Sequence, residues 1–195
     1  MFRKLSFVML GLLVSVVAAC GASPTGSNPG TPAATTVSRA ASPLASAAPV
    51  SYDPCVLVTS QEASALTGVN YGPGRPDMAN QIKECIYGYQ TTDVFIIGVL
   101  QAPDLATAQA GAAQAQALAQ QAAGSGLAVT QVQGLGDAAT EAQGTFSASG
   151  TTLNVAGVYV LKGTVFFMIT DVAANRAAPG TAALQAQATT VLGRL

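Results

Sequence analysis

Histidine and tryptophan are both absent from this 195-residue chain, and only 9% of its residues are charged. Without histidine, the commonest general base and the commonest metal ligand are missing together. Chemistry near neutral pH would then fall to a carboxylate raised well above its usual range, or to a lysine lowered well below it. The His and Cys clusters that hold zinc are lacking, and no Asp-rich loop suits calcium, so neither metal nor other cofactor is expected. Basic side chains are few and solitary: Arg39, Arg75, Lys83, Lys162, Arg176 and Arg194 form no patch. Nucleic acid, whose binding rests on clustered Lys and Arg, is not an expected partner.

Cysteine is scarce as well, with three in the chain. The first, Cys20, closes an N-terminal segment of distinctive make-up. Arg3 and Lys4 precede an apolar run, Leu5 to Val17, which at 13 residues is too short for a membrane span of about 20. Positive start, short apolar stretch and small residues describe a signal peptide over residues 1–19. Val17-Ala18-Ala19-Cys20 resembles the bacterial lipobox. That resemblance implies diacylglyceryl transfer to the Cys20 thiol, cleavage before it, and acylation of the new amine. The alternative is an ordinary secretory signal with an incidental cysteine, but n-region, run length and box all agree on lipidation. Two or more acyl chains, at about 0.8 kcal/mol per buried methylene, give a stable membrane anchor. The expected location is the outer face of the cytoplasmic membrane. Loss of Arg3 and Lys4 with the leader leaves six basic side chains against nine acidic ones, a net charge of −3.

Residues 20–51 make up the lipidated cysteine and a tether. From Gly21 to Val50 the chain is rich in Ala, Ser, Thr, Pro and Gly, has no periodicity and carries one charge, Arg39. Such a composition cannot bury a core. As a flexible coil it spans on the order of 30 Å.

Residues 52–195 are long enough for one autonomous core. Their two cysteines, Cys55 and Cys85, are an even remainder, which in an oxidising compartment reads as one disulfide. Thr59-Ser60-Gln61-Glu62 offers a helix N-cap and capping box, with a stop at Gly68. Tyr71 to Gln81, punctuated by Gly72, Pro73, Gly74 and Pro76, reads as a loop. Lys83–Gln90 and Asp93–Leu100 read as strands, the second apolar on both faces and therefore central. Asp104–Ala123 is the longest helix, its inner stripe Leu105, Ala108, Ala112, Ala115, Leu118 or Ala119 and Ala122 being mostly alanine. Leu127–Gln133 is a strand, Ala138–Gln143 a weaker one, and Thr151–Leu161 with Thr164–Val172 a hairpin across Lys162-Gly163. A last helix opens at Pro179-Gly180, with Leu184, Ala188, Val191, Leu192 and Leu195 on one face. The order predicts the α+β class: an antiparallel sheet of about five or six strands with helices packed on one side.

The opening Asp53-Pro54-Cys55-Val56-Leu57 with Thr59, Glu62 and Leu66-Thr67-Gly68, then Cys85-Ile86-Tyr87 and Gly134-Leu135-Gly136-Asp137-Ala138-Ala139, resembles small uncharacterised lipoproteins of actinobacteria and similar bacteria. Their domains start Asp-Pro-Cys and pair that cysteine with a later Cys-x-Tyr. The resemblance spans most of residues 52–195 and implies the same pairing here, without catalytic residues to carry over. The order of elements is also similar to that of PsbP-like domains, which implies architecture and no function.

Gly134-Leu135-Gly136-Asp137-Ala138-Ala139 has the G-x-G-x-x-A spacing of a dinucleotide fingerprint, but no helix follows it and no acidic residue lies between Glu141 and Asp171, so a tight glycine turn is the better reading. The serines sit in no nucleophile elbow and no S-x-x-K pair. Asp77, Glu84, Asp93, Asp104, Asp137, Glu141 and Asp171 leave a carboxylate pair formally open. Arg75 and Tyr71, with Tyr87 and Tyr89, are candidates to line a ligand pocket, against core packing beside the disulfide. These residues favour a membrane-anchored, non-catalytic binding or accessory module of the cell envelope, its ligand or protein partner unknown. The alternatives are an extracytoplasmic hydrolase with a carboxylate-based site and a purely structural surface protein.

Overall fold

The computed structural model describes residues 51–79, 81–123, 126–148, 150–174 and 176–195. The leader, the lipobox with Cys20, and the tether up to Val50 lie outside the described residues. The domain lies within a compact unit, Ser46–Leu195.

Asp53 accepts a hydrogen bond from the Cys55 N–H at 2.9 Å and, with Pro54 in the first turn, starts the single-turn helix α1 (Pro54–Leu57). Thr59 and Glu62 close a reciprocal capping box on α2 (Ser60–Thr67): the Glu62 N–H donates to Thr59 Oγ1 at 3.3 Å, and the Thr59 N–H donates to Glu62 Oε2 at 2.8 Å. Gly68, at φ 75°, ends the helix in the left-handed conformation. There follow β1 (Arg75–Ala79), β2 (Ile82–Tyr87), β3 (Asp93–Gln101), α3 (Leu105–Ala123), β4 (Leu127–Val132), β5 (Ala138–Ala148), β6 (Thr151–Lys162), β7 (Val165–Ala173) and α4 (Thr181–Leu192).

The strands form one antiparallel sheet in the order β1-β2-β3-β7-β6-β5-β4. The α+β class and the antiparallel sheet stand as expected, and β3 runs through the interior of the sheet. The strand number differs, at seven rather than five or six. The additional strand is β1, cut from the stretch read as a loop. Its first four residues are exposed, and Pro76 is tolerated because an edge strand needs to pair on one side only. The weak strand also lengthens: β5 runs on to Ala148, paired with β6 along its whole length.

Directly opposed residues share a face, so register assigns the two sides. Val99, Phe167, Val160 and Ala139 form one row across β3, β7, β6 and β5, while Leu100, Phe166 and Leu161 form the next row on the opposite face. The first face carries Tyr87, Phe95, Ile97 and Ile169 and is covered by α1, α2 and α4 through Leu57, Ala63, Leu184, Ala188 and Val191. The second is covered by α3 through Ala108, Ala112 and Ala115 over Tyr159, Leu161 and Phe166. Helices therefore pack on both faces, which corrects the one-sided arrangement expected from sequence. The cause lies in β6 and β7, which are apolar on both sides from Val155 to Leu161 and from Val165 to Ile169, so each face requires a cover. The stripe on α3 is also narrower than expected: Ala108 is fully buried, whereas Leu105 and Leu118 are 49% and 46% exposed.

Candidate functional site

The four pocket candidates separate into two groups. Tyr71 and Tyr87 are buried and pack with Phe95 into a ring trio whose centroids lie 6.1 to 6.5 Å apart. The Tyr87 hydroxyl donates to the Val58 carbonyl, and burial, followed by the negative charges of Asp53 and Glu62, pushes it up to about 12. Beneath it the Cys55–Cys85 disulfide joins α1 to β2. Gly74 is required at this point, because a Cβ there would lie 2.2 Å from Cys85 Sγ and 2.7 Å from the Tyr87 ring. Arg75 and Tyr89 instead meet on the surface, the guanidinium 4.9 Å from the ring centroid and 2.9 Å from Asp77. Tyr71 and Arg75 are therefore not brought into one pocket.

The carboxylates have local duties. Asp53 and Asp104 cap α1 and α3. Asp137 accepts from Lys162 Nζ at 2.9 Å and from the Gly163 N–H at 2.6 Å, which clamps the Gly134-to-Asp137 turn onto the β6–β7 hairpin. Both glycines of that turn have positive φ, 76° at Gly134 and 66° at Gly136, and β5 follows rather than a helix. Glu141 is held by Thr130 and Gln185. Glu84 stands opposite Asp77 across β1 and β2, and burial, with the charge of Asp77 second, raises its carboxyl. Neither residue lines a groove.

Asp171 is the one fully buried carboxylate among the described residues. It lies on β7 in line with Val165, Phe167, Ile169 and Ala173, on the face where every other inward position is apolar. Arg176 reaches back from the β7–α4 connection and grips it with two bonds, Nη2 to Oδ1 at 2.6 Å and Nη1 to Oδ2 at 2.9 Å. The same guanidinium donates to the Tyr71 hydroxyl at 3.3 Å and lies 3.5 Å from Asp93. Burial raises Asp171 above the usual carboxylate range against the pull of Arg176; burial also opposes the charged form of Arg176, but the bonds and charge of Asp171 more than offset it. The alternation of β7 held the signal for this clasp: an aspartate at an inward position demands a cation. Sequence reading grouped Asp171 with the open carboxylates and Arg176 with the scattered basic residues.

Open space lies on the second face. Two grooves of about 240 Å³ each flank α3. One runs between Gly111, Gln114 and Leu118 of the helix and Ile82, Leu100 and Gln101 of the sheet. The other runs between Ala112 and Gln116 of the helix and Gln131, Tyr159, Leu161 and Phe166 of the sheet. They exist because alanine spans less of the gap than the side chains that join α4 to the first face. Neither is lined by a charged residue; their polar groups are glutamine amides, the hydroxyls of Thr107, Thr140 and Tyr159, and backbone. Among the described residues no group of three or more His, Cys, Asp or Glu is placed to hold a metal, and no helix is long and apolar enough to cross a membrane. Compared with protein-family models, curated proteins and solved structures, the chain matches none.

Proposed function

We propose that this chain is a lipid-anchored lipoprotein of the cell envelope, tethered through Cys20, whose domain binds a neutral, largely apolar ligand without transforming it. The observation that carries the binding reading is the pair of uncharged grooves beside α3, with large apolar side chains as floor and glutamine amides at the rim. Apolar walls with a few convergent polar groups describe a small-molecule site. The carboxylates with raised or lowered titration, among them Asp171, Glu62 and Glu84, lie away from these grooves, and the one shifted group that lines them, the Tyr159 hydroxyl, is pushed up by burial and so stays neutral. The Asp-Pro-Cys opening and the short apolar leader ending at Cys20 support the placement outside the membrane.

The test is to titrate the full chain, extracted from membranes, with the neutral fluorophore Nile red, alongside Ala110→Trp and Ala113→Trp. These exposed α3 positions border the first and second groove respectively, so the indole fills the space from outside. Saturable binding should weaken by roughly fivefold or more, about 1 kcal/mol, in at least one variant with its melting temperature held. Binding that is absent, or equal in all three proteins, overturns the proposal.

A further inference from the structure

The two ends of the sheet are finished differently. β1 carries Pro76, which has no N–H to offer, and the Arg75–Asp77 ion pair, both devices that keep an edge strand from recruiting another. β4, at the other end, reads Leu127-Ala128-Val129-Thr130-Gln131-Val132 and has neither charge nor proline. It is straight in register, with six consecutive residues paired to β5 and none skipped. The nearest carboxylate, Glu141, is turned towards Thr130 and Gln185. Lys162 and Asp137, further along, neutralise each other. One side of β4 thus presents an unguarded row of backbone donors and acceptors, since no strand pairs with it among the described residues.

We propose that β4 pairs antiparallel with β4 of a second copy of this chain, joining two sheets edge to edge. The strand is its own best partner because an uncharged edge sets no like charges against each other when it meets itself. A two-fold axis perpendicular to the sheet near Val129 or Thr130 satisfies both copies with one contact, and it keeps corresponding faces on the same side. β4 also supplies Gln131 to the wall of the second groove. The pairing therefore places the two copies' second grooves on the same face, one on each side of the junction, and closes their outer flank. The dimer does not depend on what either groove holds.

Single cysteines introduced in the full chain at Ala128, Val129, Thr130 and Gln131 test this by copper-phenanthroline oxidation in membranes. The unmodified chain and Met78→Cys, on the guarded edge, serve as controls. Disulfide-linked dimer should form at least tenfold faster at Val129→Cys or Thr130→Cys than in either control. Adding Ala128→Lys and Gln131→Lys to the better of the two should cut its yield at least tenfold, with an unchanged far-ultraviolet spectrum reporting an intact fold. No enhanced cross-linking at any of the four positions, equal cross-linking at Met78→Cys, or a yield indifferent to the added lysines overturns the proposal.

Discussion

Replacing Arg176 with methionine isolates a charge that the fold cannot hydrate. Methionine keeps much of the apolar stem, so the perturbation is mainly the loss of the guanidinium. Asp171 has no exposure, and its Oδ1 and Oδ2 take their bonds from Arg176. Breaking a buried pair from one side costs about 3–5 kcal/mol, a large share of the roughly 5–15 kcal/mol that holds a domain together. Removing both charges costs less, because the fully buried carboxylate is no longer left unpaired and only the longer contacts of Arg176 with Asp93 and the Tyr71 hydroxyl are lost. Arg176→Met/Asp171→Asn should therefore be more stable than Arg176→Met alone, although it carries one more substitution. The pH dependence follows from linkage. Burial already holds Asp171 above 3.8, its ordinary value, and Arg176 supplies the two causes that lower it, so removing the guanidinium raises the carboxyl further. A group whose folded pKa lies above its unfolded one contributes stability that is fully present below the unfolded value and is lost as pH rises through the folded value. Arg176→Met should therefore approach the parent in acid and fall away from it towards neutrality, while the double variant, whose residue 171 does not titrate, should show no such widening deficit. Urea unfolding at a series of pH values, with each variant compared to the parent at the same pH, measures this through the midpoint at constant slope. The reasoning is refuted if single and double variants lose equal stability, or if the deficit of Arg176→Met does not shrink in acid.

Three other perturbations have defined outcomes. The Cys55–Cys85 bond spans a sequence separation of 30, for which loop-closure entropy gives ~3.7 kcal/mol, so Cys55→Ser/Cys85→Ser should lower the unfolding free energy from urea titration by that order, and thiol titration of unreduced, denatured parent should find neither cysteine free. Glu62 is held at about 2, first by its hydrogen bond to Arg194, so its stabilisation is present above 4.5, its ordinary value, and lost as pH falls towards 2; because the Arg194 side chain is 37% exposed, Glu62→Gln should cost only about 1 kcal/mol at neutral pH and nothing measurable near pH 2. Cys20→Ala should leave an unlipidated chain that retains residues 1–19, read by intact mass, and a parent chain without acyl mass would remove the anchor from the proposal.

What could be read from sequence follows from how each element announces itself. The Thr59–Glu62 box, Gly68 and the Leu184, Ala188, Val191 stripe are local signals, and the helices begin, end and face as those residues specify. β3 was identified as interior because both its faces are apolar. The same evidence was present in β6 and β7, and there it meant that a helix must lie on each side of the sheet. β1 was hidden because Gly72, Pro73, Gly74 and Pro76 describe a loop to any local rule; it becomes a strand by leaning on β2, next to the cysteine that the disulfide fixes. Alternation along β7 marks Asp171 as an inward carboxylate in need of a cation, but that Arg176 supplies it depends on a loop folding back onto the strand before it, which periodicity does not reveal. The grooves were the least legible feature of all, since they are made by what alanine fails to fill.

The two faces of the sheet are filled to different degrees. On the first face, Phe95, Phe167, Ile97 and Ile169 meet helices through Leu57, Leu184 and Val191, and each such fully buried side chain contributes roughly 1.5–3 kcal/mol. On the second, α3 meets Tyr159, Leu161 and Phe166 through alanine methyls worth nearer 0.8 kcal/mol apiece, so the helix relies more on its own propensity than on its seat. One face thus holds the fold and the other is comparatively free of that duty. A site evolved for a neutral ligand on the freer face needs shape and a few amides rather than a nucleophile, a base or a metal. Catalysis leaves motifs because bond-making needs particular atoms at particular distances, whereas an uncharged groove can be built from ordinary core and surface residues, and here alanine and glutamine of α3 face Ile82, Leu100, Tyr159, Leu161 and Phe166 of the sheet.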